Sequence, residues 1–282
     1  MSRPLRVEFP GAVYHVTARG DRQESIFEDD EDRDQLLRVF GQALERFEAG
    51  CLAFCLMPNH YHFVLETARA NLSRLMRHVN GIYTQRYNRR HRKIGHLFQG
   101  RFAAILVDRD AYLLEVCRYV ELNPVRAKLI KRPQEWYWSS YRAQVGLDKA
   151  PAWLKDAVLD QMARDKNTAR RRYAQFVAQG KGVSLWDGAL RGQIYLGDER
   201  FVTRIRSRVK DIDILGEVPR AQRRVKNLTL EQYLRRSNDR NAGIVQAFRD
   251  GGYTQTVIAK ELGLSVSRIS RVIRMGEAKG KT

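Results

Sequence analysis

Three shortages in the sequence each remove a class of protein. Three cysteines in 282 residues are too few for a disulfide framework, which suits a reducing cytoplasm. No cysteine pair stands at zinc spacing: Cys51 and Cys55 lie in an apolar stretch and read as core, so no structural zinc site is expected. The longest uninterrupted apolar run, Cys51–Met57, is seven residues, against the roughly 20 needed to span a bilayer. Met1-Ser2-Arg3-Pro4 leads into no apolar stretch of signal-peptide length, so neither export nor membrane insertion is expected. Internal repeats, low-complexity tracts, Gly/Ser linkers and a P-loop pattern are also missing. Acid is the third shortage: 32 Asp+Glu stand against 51 Lys+Arg, giving a net charge of +19 and a pI near 10.2.

What is present is a chain able to fold. It is 43% hydrophobic, with 29% charged residues spread among the apolar ones, which argues against general disorder. Its length suits a main domain with a smaller appended one. The excess charge points to a polyanion, because Lys and Arg gain affinity for phosphates by releasing condensed counterions. Residues 201–282 carry +10 and the other 200 carry +9, so the tail is the more basic part per residue. Nucleic acid is preferred over an anionic membrane surface, since no long basic helix with a bulky apolar face stands out.

Ala12-Val13-Tyr14-His15-Val16-Thr17 has strand residues and ends in the turn Arg19-Gly20-Asp21. Leu36, Leu37, Val39, Phe40, Leu44 and Phe47 recur at helical spacing over Asp29–Phe47, with an acidic cluster, Glu28 to Asp34, at the helix start, read as a solvated face. Gly50 ends that helix. Strand-like runs Leu52–Met57 and Tyr61–Glu66 flank Pro58-Asn59, and a basic helix over Asn71–Arg90 runs into the loop Asn88–Lys93. A strand Phe102–Val107 then leads through Asp108, a good N-cap, into a helix from Arg109 to about Asn123. The order strand, helix, strand, strand, helix, strand, helix predicts an α+β fold, a ferredoxin-like (RRM-like) antiparallel sheet with helices on one face. Beyond Trp136–Tyr141 the chain reads as mainly helical and basic.

Two constellations bear on chemistry. In His60-Tyr61-His62 a strand turns both imidazoles to one face, where they can share a divalent metal, and Tyr61 to the other. Alone, H-x-H is a weak motif, better explained by two surface or hydrogen-bonded histidines. On the helix before Pro124, Leu113, Cys117 and Val120 gather on one side, while Glu115, Tyr119 and Asn123 form a separate stripe. Tyr119 therefore lies off the apolar face. Pro124 disfavours helical geometry at Asn123, whose amide can cap the helix or hold a ligand. His15, His78, His91 and His96 lack such spacing and read as core or surface residues.

Met57-Pro58-Asn59-His60-Tyr61-His62, Gly95-His96-Leu97-Phe98-Gln99-Gly100-Arg101-Phe102, Arg118-Tyr119-Val120-Glu121-Leu122-Asn123-Pro124-Val125-Arg126-Ala127 and Trp138-Ser139-Ser140-Tyr141, in this order, closely resemble the single-tyrosine HUH transposases, and among them the REP-associated tyrosine transposases. Pro10–Val16 and Arg19-Gly20 are similar to that family's first strand and turn. The resemblance is strong over residues 1–145 and implies the HUH fold there. It implies that His60 and His62 are metal ligands, Tyr119 the nucleophile and Asn123, where some relatives use Gln, the third ligand to Mg²⁺ or Mn²⁺. It further implies a substrate of single-stranded DNA next to a hairpin, a 5′-phosphotyrosine intermediate, and action as monomer or homodimer. Arg19, Arg101 and Arg126 are this segment's candidate DNA contacts. Arg89–Lys93 and Arg101 suit phosphates or a solvated loop equally, and Trp136, Trp138 and Tyr141 suit either base stacking or anchoring of the later helices.

Residues 146–240 are expected to form a helical basic extension, and residues 241–282 a helix-turn-helix. In the latter Thr254 would cap a helix with Val257, Ile258, Ala259 and Leu262; Gly263-Leu264 would turn; and Ser265 would open a second helix with Val266, Ile269, Val272 and Ile273 inward. Arg268, Arg271 and Arg274 would face outward toward duplex DNA. The whole reads as a cytoplasmic, nucleoid-associated DNA transposase. Its rivals are a domesticated DNA-binding regulator that keeps the fold without the chemistry, and a replication-initiating HUH nuclease. The intact His60, His62, Tyr119 and Asn123 set weighs against the first, and the missing P-loop pattern against the second.

Overall fold

The computed structural model describes residues 7–180, 185–186, 190–191, 194–210, 229–237, 239–249, 253 and 255–279. The chain divides into two compact units, one Val7–Arg204 and the other within Ile205–Thr282. Residue 145 falls within the first of these units and residue 240 within the second.

The first unit runs β1 (Ala12–Arg19), α1 (Asp30–Arg46), β2 (Ala49–Met57), β3 (His60–Thr67), α2 (Leu72–His91), β4 (Ala103–Val107), α3 (Arg109–Glu121) and the short helices α4 (Asn123–Arg126), α5 (Tyr141–Gln144) and α6 (Ala157–Asp160). It continues with α7 (Lys166–Gln179), the two-residue strands β5 (Leu190–Arg191) and β6 (Tyr195–Leu196), and α8 (Glu199–Lys210), which begins there. The sheet order is β2-β3-β1-β4-β6-β5. The first four strands are antiparallel neighbours, as a ferredoxin-like core requires. β6 adds to β4 in parallel, so the sheet is mixed.

Alternation along β3 decides which helix lies on which face. Tyr61, Phe63 and Leu65 meet α1 and α2: Phe63 stacks on Phe40 of α1 with ring centroids 3.9 Å apart, and the Tyr61 hydroxyl donates to Asn80 Oδ1 of α2 at 2.5 Å. Val64, with Val13 and Val107 beside it, packs instead against Leu113, Val116, Cys117 and Val120 of α3. The expectation of helices on one face therefore holds for α1 and α2 only. The βαββαβ core sends its two helices to one face, and the chain's next helix covers the other. α6 and α7 join that second core through Val158, Leu159, Ala169, Tyr173 and Val177, so the segment after residue 145 packs into the same unit.

The Trp136–Tyr141 segment closes the free edge of β2, a device that blocks strand addition. The Trp136 indole N–H donates to the Leu56 carbonyl at 3.1 Å, Leu56 N–H to the Trp138 carbonyl at 2.8 Å, and Ser140 N–H to the Phe54 carbonyl at 2.9 Å. Anchoring is the use these aromatics show. Cys51 and Cys55 are buried and unbridged, as expected.

Of the acidic cluster, Glu28, Asp29, Asp30, Glu31 and Asp34 are exposed, as a solvated face requires, and Asp32 departs from it. Asp29 caps α1 by accepting from Asp32 N–H; Asp32 is fully buried and pairs with Arg90 at 2.7 Å and His91 at 2.9 Å. Lys93 reaches Glu28 at 2.6 Å. The basic end of α2 is therefore held by the start of α1, and Arg90, His91 and Lys93 are engaged within the protein. At the end of β1, a Cβ on Gly20 would come 2.2 Å from the Glu24 carbonyl oxygen, so only glycine permits this turn.

The second unit contains α9 (Leu230–Arg236), α10 (Arg240–Arg249), α11 (Gln255–Leu262) and α12 (Val266–Lys279). Leu230, Tyr233, Ile244, Ala247, Ile258, Ala259, Ile269 and Ile273 form its core, so its packing starts before residue 241. Gly263, at φ +65°, makes the turn between α11 and α12, and Ser265 Oγ accepts from Arg268 N–H at its start. Val266 is exposed rather than inward, because it opens α12 before the helix meets its neighbours. Arg268 and Arg271 are exposed. Thr254 and the side chain of Arg274 lie outside the described residues.

Among the described residues no helix is long and apolar enough to cross a membrane.

Candidate active site

The site lies on the α3 face of the sheet. His60 and His62 project there from β3 with ring centroids 4.9 Å apart, as the period of two requires. The β1–β3 register pairs Thr17 with His62 and Val64 with His15, which makes His15 the diagonal neighbour of His62. Their rings lie coplanar within 4°, and His15 Nε2 is 2.9 Å from His62 Nδ1.

Asn59 fixes the His60 ring. Its Nδ2 donates to the Gln23 carbonyl at 3.0 Å, which leaves Oδ1 to accept from His60 Nδ1 at 2.7 Å. The His60 proton therefore sits on Nδ1, and Nε2 keeps its lone pair. Burial, aided by the charge of Arg19, lowers the His60 pKa to about 4. Burial alone takes His15 to about 3, and burial with neighbouring His15, His60 and Arg19 takes His62 well below the usual range. All three rings are neutral at pH 7, the state in which an imidazole nitrogen can ligate a cation. His62 Nε2 is buried without a hydrogen-bond partner.

Tyr119 faces this pair from α3. The helix is fixed by Leu113, Val116, Cys117 and Val120, all buried, and the half-buried Tyr119 stands at the rim of that apolar face. Its ring meets His62 edge-on at a centroid distance of 6.1 Å and His15 at 5.9 Å. Trp186 closes the cluster, edge-on to Tyr119 at 4.9 Å and stacked on His15 at 5.4 Å. The Arg126 guanidinium lies 5.0 Å from the Tyr119 ring centre.

The helix ends where Pro124 demands. Leu122 separates α3 from α4, and Asn123 Nδ2 donates to the Tyr119 carbonyl at 2.9 Å and the Val120 carbonyl at 3.4 Å. Asn123 thus closes the helix with its nitrogen, an arrangement in which Oδ1 is the atom available to a cation. Asp108 occupies the N-cap position of α3 without a side-chain capping bond; its carboxylate is 3.9 Å from Arg204. Glu121, fully buried, accepts from Ser140 Oγ at 2.5 Å and from the Tyr173 hydroxyl at 2.7 Å. Its pKa rises to about 7 because burial outweighs these two bonds. This carboxyl fastens the tyrosine helix to the β2 edge segment and to α7.

Of the residues expected from sequence, His60, His62 and Tyr119 come together. Arg19 stands opposite His60 in the β1–β3 register and Arg126 beside Tyr119, so both border the site. Arg101 is exposed, on the loop whose Gln99 N–H donates to the Arg19 carbonyl. His15, read from sequence as a core or surface residue, is buried in the arrangement, and Asn59, Glu121 and Trp186 are further parts of it to which the sequence assigned no role. Strand alternation was the available signal for His15; nothing in the sequence around Trp186 marks it. Among the described residues no group of three or more His, Cys, Asp and Glu is placed to hold a metal ion.

The site is thus an antiparallel run of strands carrying two histidines that face a helix-borne tyrosine. Residues 9–123 match the family model described as "Transposase IS200 like". This segment, which holds the greater part of the sheet and all of α3, is thus similar to the IS200-like transposases. Among solved structures the chain is similar to a REP-associated tyrosine transposase bound to a REP hairpin, at 16% identity and a TM-score of 0.46 over 55% of this chain and 92% of that one. It is also similar to a protein assigned as a transposase in Deinococcus radiodurans R1, at 15% identity and a TM-score of 0.31 over 43% of this chain and 96% of that one. No curated protein matches it.

Proposed function

We propose that the protein is a metal-dependent transposase that cuts and rejoins single-stranded DNA beside REP-like hairpins through a 5′-phosphotyrosine on Tyr119. The observation that carries this reading is the Tyr119 ring standing against His62 on the face where the histidines project. The residues present fit a cation. His62 Nε2 is buried and unpartnered, and His60 has its proton held on Nδ1 by Asn59. His60, His62 and Asn123 would hold the ion. A bound Mg²⁺ or Mn²⁺ supplies Lewis acidity to a non-bridging phosphate oxygen.

The chain's own residues supply the rest. Tyr119 Oη bonds to phosphorus as the P–O3′ bond breaks; the phenolic proton passes to solvent and the departing 3′ oxygen takes one up. The products are a 5′-phosphotyrosine and a free 3′-OH. The phosphoester is conserved, so another 3′-OH can reverse the step and join strands. Arg19 and Arg126 border the site as charges for the phosphate backbone. In the second unit, α11, the Gly263 turn and α12 suit a helix-turn-helix that presents Arg268 and Arg271 to duplex DNA.

The test is to incubate the protein with labelled hairpin-bearing single strands and Mn²⁺ and look for a covalent adduct. The expected adduct is lost in Tyr119→Phe and on EDTA treatment, while EDTA largely spares binding. An adduct that persists in Tyr119→Phe refutes the nucleophile, and cleavage unchanged by EDTA refutes the metal. Absence of any adduct on the cognate strand favours a DNA-binding regulator.

A further inference from the structure

We propose that His15 is a positioning residue that selects the metal-binding tautomer of His62, by accepting a hydrogen bond from His62 Nδ1–H on its own Nε2. The inference rests on the reading of His60 and His62 as ligands, and it concerns a residue that touches neither metal nor DNA in that reading.

The two facing nitrogens, 2.9 Å apart, share one proton when both rings are neutral. If the proton belongs to His15 Nε2, then His62 carries its own proton on Nε2, the atom that is buried and unpartnered. A cation cannot bind there. If the proton belongs to His62 Nδ1, the Nε2 lone pair is exposed to the site and the spare proton lies on His15 Nδ1, also buried without a partner. In the absence of a cation each form leaves two orphan atoms, so neither is favoured by that count. A cation at His62 Nε2 satisfies one of them only in the second form. Binding therefore fixes the proton on His62 Nδ1 and makes His15 the acceptor.

The second ligand shows the same logic with a different partner. Asn59 Oδ1, held in its orientation by the Gln23 carbonyl, leaves His60 no choice but an Nδ1 proton. Each histidine of the pair thus has one dedicated neighbour at Nδ1. Metal-bound imidazoles commonly donate their other N–H to a carboxylate, a carbonyl or water; here a second imidazole occupies that place. Geometry holds it there. His15 is 4% exposed, locked in β1 by pairing on both sides, and sandwiched between the His62 edge and the Trp186 face.

The experiment measures protons and metal, not catalysis. In the full-length protein with ¹⁵N-labelled histidine, two-bond ¹⁵N–¹H spectra locate the ring protons before and after saturation with Mg²⁺. His62 is expected to carry its proton on Nδ1 in the loaded protein; a proton on His62 Nε2 overturns the inference without any variant. Mn²⁺ affinity is then read from the free-ion EPR signal. His15→Phe, which has no acceptor, should bind Mn²⁺ about tenfold or more weakly. His15→Gln places an amide oxygen near the Nε2 position and should regain most of the affinity lost in His15→Phe. Equal affinity in His15→Phe and wild type overturns the role of His15 while leaving the metal site standing. If Mn²⁺ broadens neither the His60 nor the His62 ring of the wild-type protein, the metal-site reading itself fails, and this inference with it.

Discussion

Replacing Glu121 by Gln should change how the stability of the Val7–Arg204 unit depends on pH. Glu121 is fully buried and has its pKa raised from 4.5 to about 7, chiefly by burial. Its charged form is opposed in the folded state by about 3 kcal/mol, since one pKa unit corresponds to about 1.4 kcal/mol. Below pH 4.5 both folded and unfolded chains carry the proton, and the group contributes no pH dependence. Between pH 4.5 and 7 the unfolded chain ionises while the folded one does not, so this group makes stability fall as pH rises; above 7 the loss is complete. The buried histidines act in the opposite sense. Their lowered pKa values give stability that is present above 6.5 and is lost as pH falls toward their folded values of about 3 to 4. The curve of wild type alone mixes both effects. The difference between wild type and Glu121→Gln isolates the carboxyl and should change by about 3 kcal/mol across pH 4.5–7, in favour of the variant at higher pH. Urea unfolding followed by tryptophan fluorescence is the assay, because Trp136, Trp138, Trp153 and Trp186 are the chain's four tryptophans and all lie in the Val7–Arg204 unit. A difference that stays constant across this window would refute the assignment of a raised pKa to Glu121.

Ser140→Ala removes a hydroxyl that donates to Glu121 and accepts from Phe54 N–H. It should lower stability by about 1–3 kcal/mol and move the Glu121 transition to higher pH; an unmoved transition would show that the bond does not stabilise the carboxylate. Phe40→Ala deletes a fully buried ring stacked on Phe63 and should cost about 3–5 kcal/mol in the same urea assay, whereas a loss below about 1 kcal/mol would mean that the α1 face collapses to fill the gap. Substituting Arg268 and Arg271 together by Gln should leave adduct formation on single strands intact. It should also reduce the slope of log affinity against log salt for duplex binding by about 1.8. An unchanged slope would place the duplex contact elsewhere than on α12.

The sheet and its helices were legible because their periods were. The strand-forming residues of Ala12–Thr17 before the Arg19-Gly20-Asp21 turn and the helical apolar spacing of Asp29–Phe47 gave elements within a residue or two of β1 and α1. The histidine pair and Tyr119 were legible for the same reason, since period two and period 3.6 decide which side chains leave the core. Long-range pairing was not. Nothing local to Glu28–Asp34 tells that Arg90, His91 and Lys93 return to it, and a run of acids is usually solvated. β5 and β6 are too short to carry any pattern, and their place beside β4 depends on a parallel return after α7. Glu121 was quoted within a motif, but its burial depends on Ser140 and Tyr173, which are 19 and 52 residues away.

These misses share a consequence for how the site is held. Tyr119 lies two residues before Glu121 on one helix, and Glu121 is tied at once to the segment that closes the β2 edge and to α7. The histidines, in contrast, are set by β-ladder register and by immediate neighbours, Asn59 and His15. The two halves of the site are therefore fixed by different parts of the molecule: the imidazoles by the sheet, the phenol by packing with residues after 135. Shortening the chain to the segment 9–123, which the family match covers, would keep every proposed catalytic residue. It would also strip Glu121 of both donors and expose Cys117 and Val120, now covered by Tyr173 and Val177 within one core. A buried carboxyl left without donors ionises only by drawing in water, which would loosen the tyrosine helix before it disturbed the strands. Histidine geometry should accordingly survive perturbations of α7 that displace Tyr119, and Mn²⁺ binding should be retained in Tyr173→Phe even where adduct formation falls.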